Sequence, residues 1–215
     1  NGQASLDVAT ADKGSTDNCE IVHREIDQEI FSCADLGERP VTLTLMDGSD
    51  NTAEASFNVT IVDETAPVVT FVEAPVVYID EYGIAAIDQE AIVADVTDNC
   101  SISSTHFDIE NFDCTQAGVR TLQFIAEDAS GNITTTSTQV QIADTIKPSF
   151  SLNTIQVLID EDGLAQLDGE ILLPYASDNC GIAEVVVEHT SMACHPSGVG
   201  YTDIIVYDLH GNHLQ

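Results

Sequence analysis

Apolar and polar positions alternate along much of the chain. Leu122, Phe124 and Ala126 are spaced by Thr121, Gln123 and Ile125, and Val41, Leu43 and Leu45 repeat the pattern earlier. Thr136, Thr138, Val140 and Ile142 share one parity, as do Ala55, Phe57, Val59 and Ile61. A period of two marks strands with one buried face. Val76 to Asp80 and Ile84 to Val96 flank Glu81-Tyr82-Gly83, which predicts a hairpin-type connection with Gly83 at positive φ. No stretch of comparable length carries a helical stripe, so the chain reads as all-β.

The pattern is periodic on a larger scale. Asp-Asn-Cys occurs at Asp17-Asn18-Cys19, Asp98-Asn99-Cys100 and Asp178-Asn179-Cys180, at spacings of 81 (100 − 19) and 80 (180 − 100). Cys33, Cys114 and Cys194 each follow 14 positions later, then Asp47, Asp128 or Asp208 after another 14, then Asn51, Asn132 or Asn212 after four more. Two linkers, Asp63-Glu-Thr-Ala-Pro67 and Asp144-Thr-Ile-Lys-Pro148, keep the same register. Such self-similarity predicts tandem units. Their expected bounds are 1–65 with its first strand missing, 66–146 complete, and 147–215 with its last strand missing. About 80 residues, six or seven short strands and Gly or Asn turns predict an antiparallel β-sandwich of immunoglobulin type for each, strung as a linear array.

The combination of Asp-Asn-Cys, a second Cys, Gly37 or Gly118 before an alternating strand, Asp-x-x-Gly-Asn and Asp-x-x-x-Pro resembles the hyalin repeat and related immunoglobulin-like repeats. That resemblance implies a segment of a very large secreted adhesin, of the kind found in gliding or marine Bacteroidota. Unit 1 departs from it with Asp50 at the turn glycine, and unit 3 with His195-Pro196-Ser197 after its second Cys.

Charge narrows the partners. Against 37 Asp and Glu stand 5 Lys and Arg, a net charge of -32. Nucleic acid is bound through phosphate neutralisation by basic residues, so it is excluded, and no apolar run is long enough for membrane insertion. The six cysteines fit disulfides better than zinc, since they lack CxxC spacing and histidines in register. The short spacing of 14 predicts Cys19 with Cys33, Cys100 with Cys114 and Cys180 with Cys194. A ring of about 15 residues is worth about 3 kcal/mol. Disulfides in turn predict an extracellular or cell-surface location.

The recurring acids admit two readings. Asp and Asn favour turns through local backbone hydrogen bonds. Sandwich topology, however, brings the linker and two loops to one end of each unit. This gathers Asp63, Glu64, Asp98, Asn99, Asp128 and Asn132 at one joint and Asp144, Asp178, Asn179, Asp208 and Asn212 at the next, with Asp17, Asp47 and Asn51 as unit 1 counterparts. Crowded carboxylates repel unless a cation joins them, and Ca²⁺ takes six to eight oxygens from such side chains. Calcium at the joints would fix flexible linkers, with cadherin-type ectodomains as the analogy. Asp160-Glu-Asp-Gly163 has half of an EF-hand spacing but reads better as a turn.

The expected function is a non-enzymatic adhesin or surface-filament stalk, built of disulfide-locked, calcium-rigidified repeats. Its partners would be neighbouring repeats of the same chain, like chains in a filament, and surface glycans. A carbohydrate-binding accessory module and a filament subunit assembling by strand complementation are the alternatives. A metal site from His189, His195 and His210 is the weaker enzymatic one.

Overall fold

The computed structural model describes residues 2–152, 154–159, 161–189, 191–193 and 202–215. The chain divides into two compact units. One comprises Asn1–Thr70, Asp95–His106 and Ile125–Thr136; the other comprises Phe71–Ala94, Phe107–Phe124 and Ser137–Gln215.

In the first unit, Ile21–Ile26, Gly37–Asp47 and Thr52–Ile61 form an antiparallel sheet in that order. Val41 stands opposite Phe57 and Leu43 opposite Ala55. A second layer pairs Gln3–Ser5 with Ile30–Ser32. Between the layers Ile26, Phe31, Val41 and Leu43 are buried, with Leu6, Val8, Phe57, Val59 and Ile61 packed around them. The alternation thus does what a period of two requires, except that Ala55 is exposed with the whole first half of its strand, residues 52–56.

The second unit holds two cores. Ile79, Ala85, Ile92, Phe112, Leu122, Val140 and Ile142 form one, and Leu167, Leu172, Val185, Val187 and Val206 the other. Leu122 and Phe124 are fully buried, and the Phe124 ring meets Phe107 at 4.8 Å and Phe71 edge-on at 6.0 Å. Burial of side chains of this size is worth about 1.5–3 kcal/mol each. Within this unit Val76–Tyr78 lies alongside Gln141–Ala143. Ala85 pairs with Phe112 in a separate layer, so the first core lies between sheets and the fold class is an all-β sandwich.

Two local expectations change. Val76–Tyr78 and Ile84–Ala86 are not rungs of one hairpin. The Asp80 carboxylate accepts the amides of Tyr82 and Ile84, and Gly83 has φ 79°, so the turn forms. Its two arms then join different sheets, Val76–Tyr78 running parallel to Gln141–Ala143 and Ile84–Ala86 antiparallel to Asn111–Asp113. Parallel pairing there gives the first arm a neighbour the turn cannot supply. The expected strand from Ile84 to Val96 is also broken. Asp88 caps a one-turn helix, Gln89–Ile92, by accepting the Glu90 amide, which drops Ile92 into the core. Four residues are too few for periodicity to register. The turn at Glu161–Gly163 resembles its partner, with Gly163 at φ 80°, whereas Asp160 lies outside the described residues.

Candidate metal centres

Two acidic clusters recur in register, one wholly inside each compact unit. Asp63, Asp98 and Asp128 bring one carboxylate oxygen each within 4.8 Å of the others, and Asp144, Asp178 and Asp208 do the same. Each member comes from a local device. The linker acid turns back on its own chain, Asp63 accepting the Thr65 amide at 3.0 Å and Asp144 the Ile146 amide at 3.1 Å. The Asp-Asn-Cys acid accepts the cysteine amide at 2.8 Å, from Cys100 to Asp98 and from Cys180 to Asp178. The third acid closes the Asp-x-x-Gly-Asn turn, Asp128 accepting the amides of Ser130 and Asn132, Asp208 those of His210 and Asn212. These are the turn bonds of the simpler reading, and each uses only part of a carboxylate.

The remaining oxygens carry the functional signal. Asp63 Oδ2, Asp98 Oδ2 and Asn99 Oδ1 are buried without a hydrogen-bond partner, as are Asp178 Oδ2, Asn179 Oδ1 and Asp208 Oδ2. Buried acceptors are normally satisfied, and orphans in matching places at two sites call for a donor or a cation. The three acids and the asparagine of each cluster offer oxygens, which suits a hard cation such as Ca²⁺, although Asp144 also converges with His210 and the disulfide-bonded Cys180. Asp63, Asp98, Asn99 and Asp128 would hold it in the first unit; Asp144, Asp178, Asn179 and Asp208 in the second.

Electrostatics agree with this fit. Burial pushes the Asp178 carboxyl above its ordinary value, and repulsion from Asp144 and Asp208 adds to the rise against the opposing Cys180 amide. At Asp128 burial also works upward. There the bonds from the Asn132 side chain and amide, with those from Ser130 and Gly131, outweigh it and the carboxyl titrates low. The asparagines close the linkers onto the clusters. Asn132 Nδ2 donates to the Asp63 carbonyl at 3.0 Å and to Asp128 Oδ2 at 2.7 Å, and Asn212 Nδ2 to the Asp144 carbonyl at 3.2 Å.

Not every expected ligand converges. Glu64 is exposed and outside the trio. The Asp47 carboxylate accepts from the side-chain amide and the backbone amide of Asn51, which hold it below its ordinary value. Asp17 and Asp47 line one cleft, but no third carboxylate joins them among the described residues.

The cysteine pairing differs from the expectation. Cys33 bonds Cys100 and Cys114 bonds Cys180, at sequence separations of 67 and 66, while Cys19 is a free, exposed thiol. Neither Cys19–Cys33 nor Cys100–Cys114 forms. Cys180–Cys194 is excluded because Cys180 is already bonded; Cys194 itself lies outside the described residues, as does His195. A period of 81 less an offset of 14 gives 67, so the register fits pairing to the next repeat as well as pairing within one. Geometry chooses the longer ring. Cys33 and Cys114 open one-turn 3₁₀ helices held by capping boxes on Ser32 and Asp113, and each faces the loop of the following Asp-Asn-Cys. Cα separations of 5.5 and 5.3 Å suit the bond. Gly2 and Gly83 lie against these disulfides at φ 56° and 79°. A Cβ at Gly83 would stand 3.1 Å from the Asn179 carbonyl and 3.2 Å from Cys114 Sγ, and one at Gly2 2.3 Å from the Asn99 carbonyl. Only glycine fits.

His210 was not readable as a member of a joint, because its counterpart is Ser130. Its Nδ1 lies 3.1 Å from Asp144 Oδ2 and its Nε2 3.1 Å from the Cys114 carbonyl. It therefore lies against the second acidic cluster.

No protein family and no curated protein matches the chain. Among solved structures it is similar to the crystal structure of the Protocadherin GammaB4 extracellular domain, at 12% identity and a TM-score of 0.30. The likeness covers 99% of this chain and 37% of that one, so the chain spans little more than a third of that structure's length.

Proposed function

We propose that the chain is a non-enzymatic segment of an extracellular adhesin or surface-filament stalk of the hyalin-repeat kind, in which each repeat joint is closed by one disulfide and one Ca²⁺. The observation that carries this reading is the recurrence of three converging acids with orphaned, buried oxygens beside a disulfide that ties one repeat's cysteine to the next. A catalytic pocket needs one site, whereas a stalk needs the same joint many times. Two disulfides suit an oxidising, extracellular setting. Among the described residues no helix is long and apolar enough to cross a membrane.

In this reading Asp63 and Asp144 bring the linker, and the Asp-Asn-Cys and Asp-x-x-Gly-Asn loops bring the other oxygens. The ion supplies the positive charge that the chain's few basic residues do not place there. Calorimetric titration of the chelated chain with Ca²⁺ should show two binding events, and melting should rise with occupancy. Absence of both binding and a melting shift would overturn the calcium part of the proposal. Glycan-array binding with no calcium dependence would instead favour a carbohydrate-binding module.

A further inference from the structure

The first unit repeats, around Cys19, part of the arrangement found at the two acidic clusters. Cys19 occupies the register position of Cys100 and Cys180 yet is free and exposed. Its surroundings already match theirs. Asp17 accepts the Cys19 amide at 2.8 Å, and Asn18 Nδ2 stands 3.5 Å from Cys19 Sγ, as Asn179 Nδ2 does from Cys180 Sγ. Asp47 holds Asn51 as Asp128 holds Asn132, at 2.8 and 2.7 Å from side-chain nitrogen to Oδ2. Asp17, Asp47, Asn51, Thr16 and Ile21 line an open cleft of about 130 Å³. At the corresponding place after the first linker, Asn132 grips the carbonyls of Asp63 and Thr65.

A second feature adjoins the cleft. Val93–Thr97 is a strand paired with Val68–Phe71, which follows the linker. Its counterpart, 81 positions earlier, is Asp12–Thr16, and this stretch forms no strand among the described residues.

We propose that Thr16, Asp17, Cys19, Asp47 and Asn51 form a socket for another repeat of this same type. Its Asp-x-x-x-Pro linker would enter the cleft, its next strand would add to Asp12–Thr16 as an extended chain adds to a sheet edge, and its Cys33-type thiol would bond Cys19. The bond forms by exchange with a small-molecule disulfide as oxidant. One protein thiolate displaces one thiolate of the oxidant, the other attacks the mixed disulfide and releases the second. Two protein thiols lose two protons and two electrons, and the oxidant becomes two thiols. The linker acid completes the half-site of Asp17 and Asp47, but the docking itself does not depend on calcium.

The test extends the full chain at Asn1 by a second copy of residues 1–81, which places the copy's Cys33 67 positions before Cys19. Refolding with oxidised glutathione in chelator separates this test from the cation reading. Maleimide labelling of Cys19 should fall more than tenfold, and digestion should release a peptide linking it to the copy's Cys33. In a second arm, a synthetic peptide of residues 62–71 is added to the unextended chain. The amides of Asp12–Thr16 should then exchange with solvent at least threefold more slowly than with a scrambled peptide. Unchanged exchange together with Cys19 left reactive, or joined to a second Cys19, overturns the proposal.

Discussion

The two acidic clusters use the same fold and leave different oxygens bare. In the first, Asn132 Nδ2 covers Asp128 Oδ2, while the linker acid Asp63 keeps a buried, unpartnered Oδ2. In the second, His210 covers the linker acid Asp144, while Asp208 keeps its Oδ2 bare. Each cluster thus has three orphaned acceptors, but among the described residues only the second has an imidazole against one of its acids. The imidazole faces the Asp144 carboxylate with one nitrogen and the Cys114 carbonyl with the other. On the calcium proposal, the linker acid of the first cluster is left to the ion, whereas that of the second already has a side-chain partner.

The most damaging change should be loss of the ties both joints share. Replacing Cys33 and Cys100 together with Ser removes a ring worth about 4 kcal/mol by loop entropy, and the same applies to Cys114 and Cys180. Denaturant unfolding of the double variants should show both losses, of equal size within about 1 kcal/mol. Replacing Cys19 should leave stability unchanged.

Next in size is removal of the cation. At a concentration 100 times the dissociation constant the ion contributes about 2.7 kcal/mol per site. Asp98→Asn should abolish one calorimetric binding event and Asp178→Asn the other, each leaving its neighbour intact. If either substitution abolished both, the sites would not be separate.

Exchanging the distinguishing residue sharpens the comparison further. His210→Ser should free Asp144 Oδ2 and tighten calcium binding at the second site by about fivefold, a hydrogen bond's worth of roughly 1 kcal/mol. Ser130→His should weaken the first site to a similar degree, read from the same titration.

The smallest effect concerns Asp178. Its carboxyl titrates above the ordinary 3.8 in the folded protein. The folded state therefore holds this proton more tightly than the unfolded one, so the group opposes folding at neutral pH and ceases to do so as pH falls through its folded value. Carbon-13 NMR in chelator should place its midpoint above the ordinary carboxylate value, and calcium should lower it.

Much of this arrangement was legible because repetition converts spacing into place. Leu122, Phe124 and Ala126 announce a buried face by alternation alone, and the acids at 63, 98 and 128 could be assigned to one end of a sandwich from loop topology. The disulfides were not legible, since Cys33 is equally periodic with Cys19 and with Cys100 and only the meeting of two loops decides between them. His210 was hidden for the opposite reason. It breaks the register, replacing Ser130, and its role exists only where Asp144 and the Cys114 carbonyl lie within reach. The helix Gln89–Ile92 escaped because one capped turn has no period to detect.

The two rings also divide the backbone under tension. Residues 33 to 100 and 114 to 180 are each bridged by a covalent shortcut, and the rings follow one another without overlap. A pull along the chain would bypass each enclosed segment, withholding roughly 220–240 Å of contour length per ring even after unfolding. Between them only residues 101 to 113 remain free to extend. A force–extension trace should therefore lengthen abruptly when reductant is added, one step for each bridge cut.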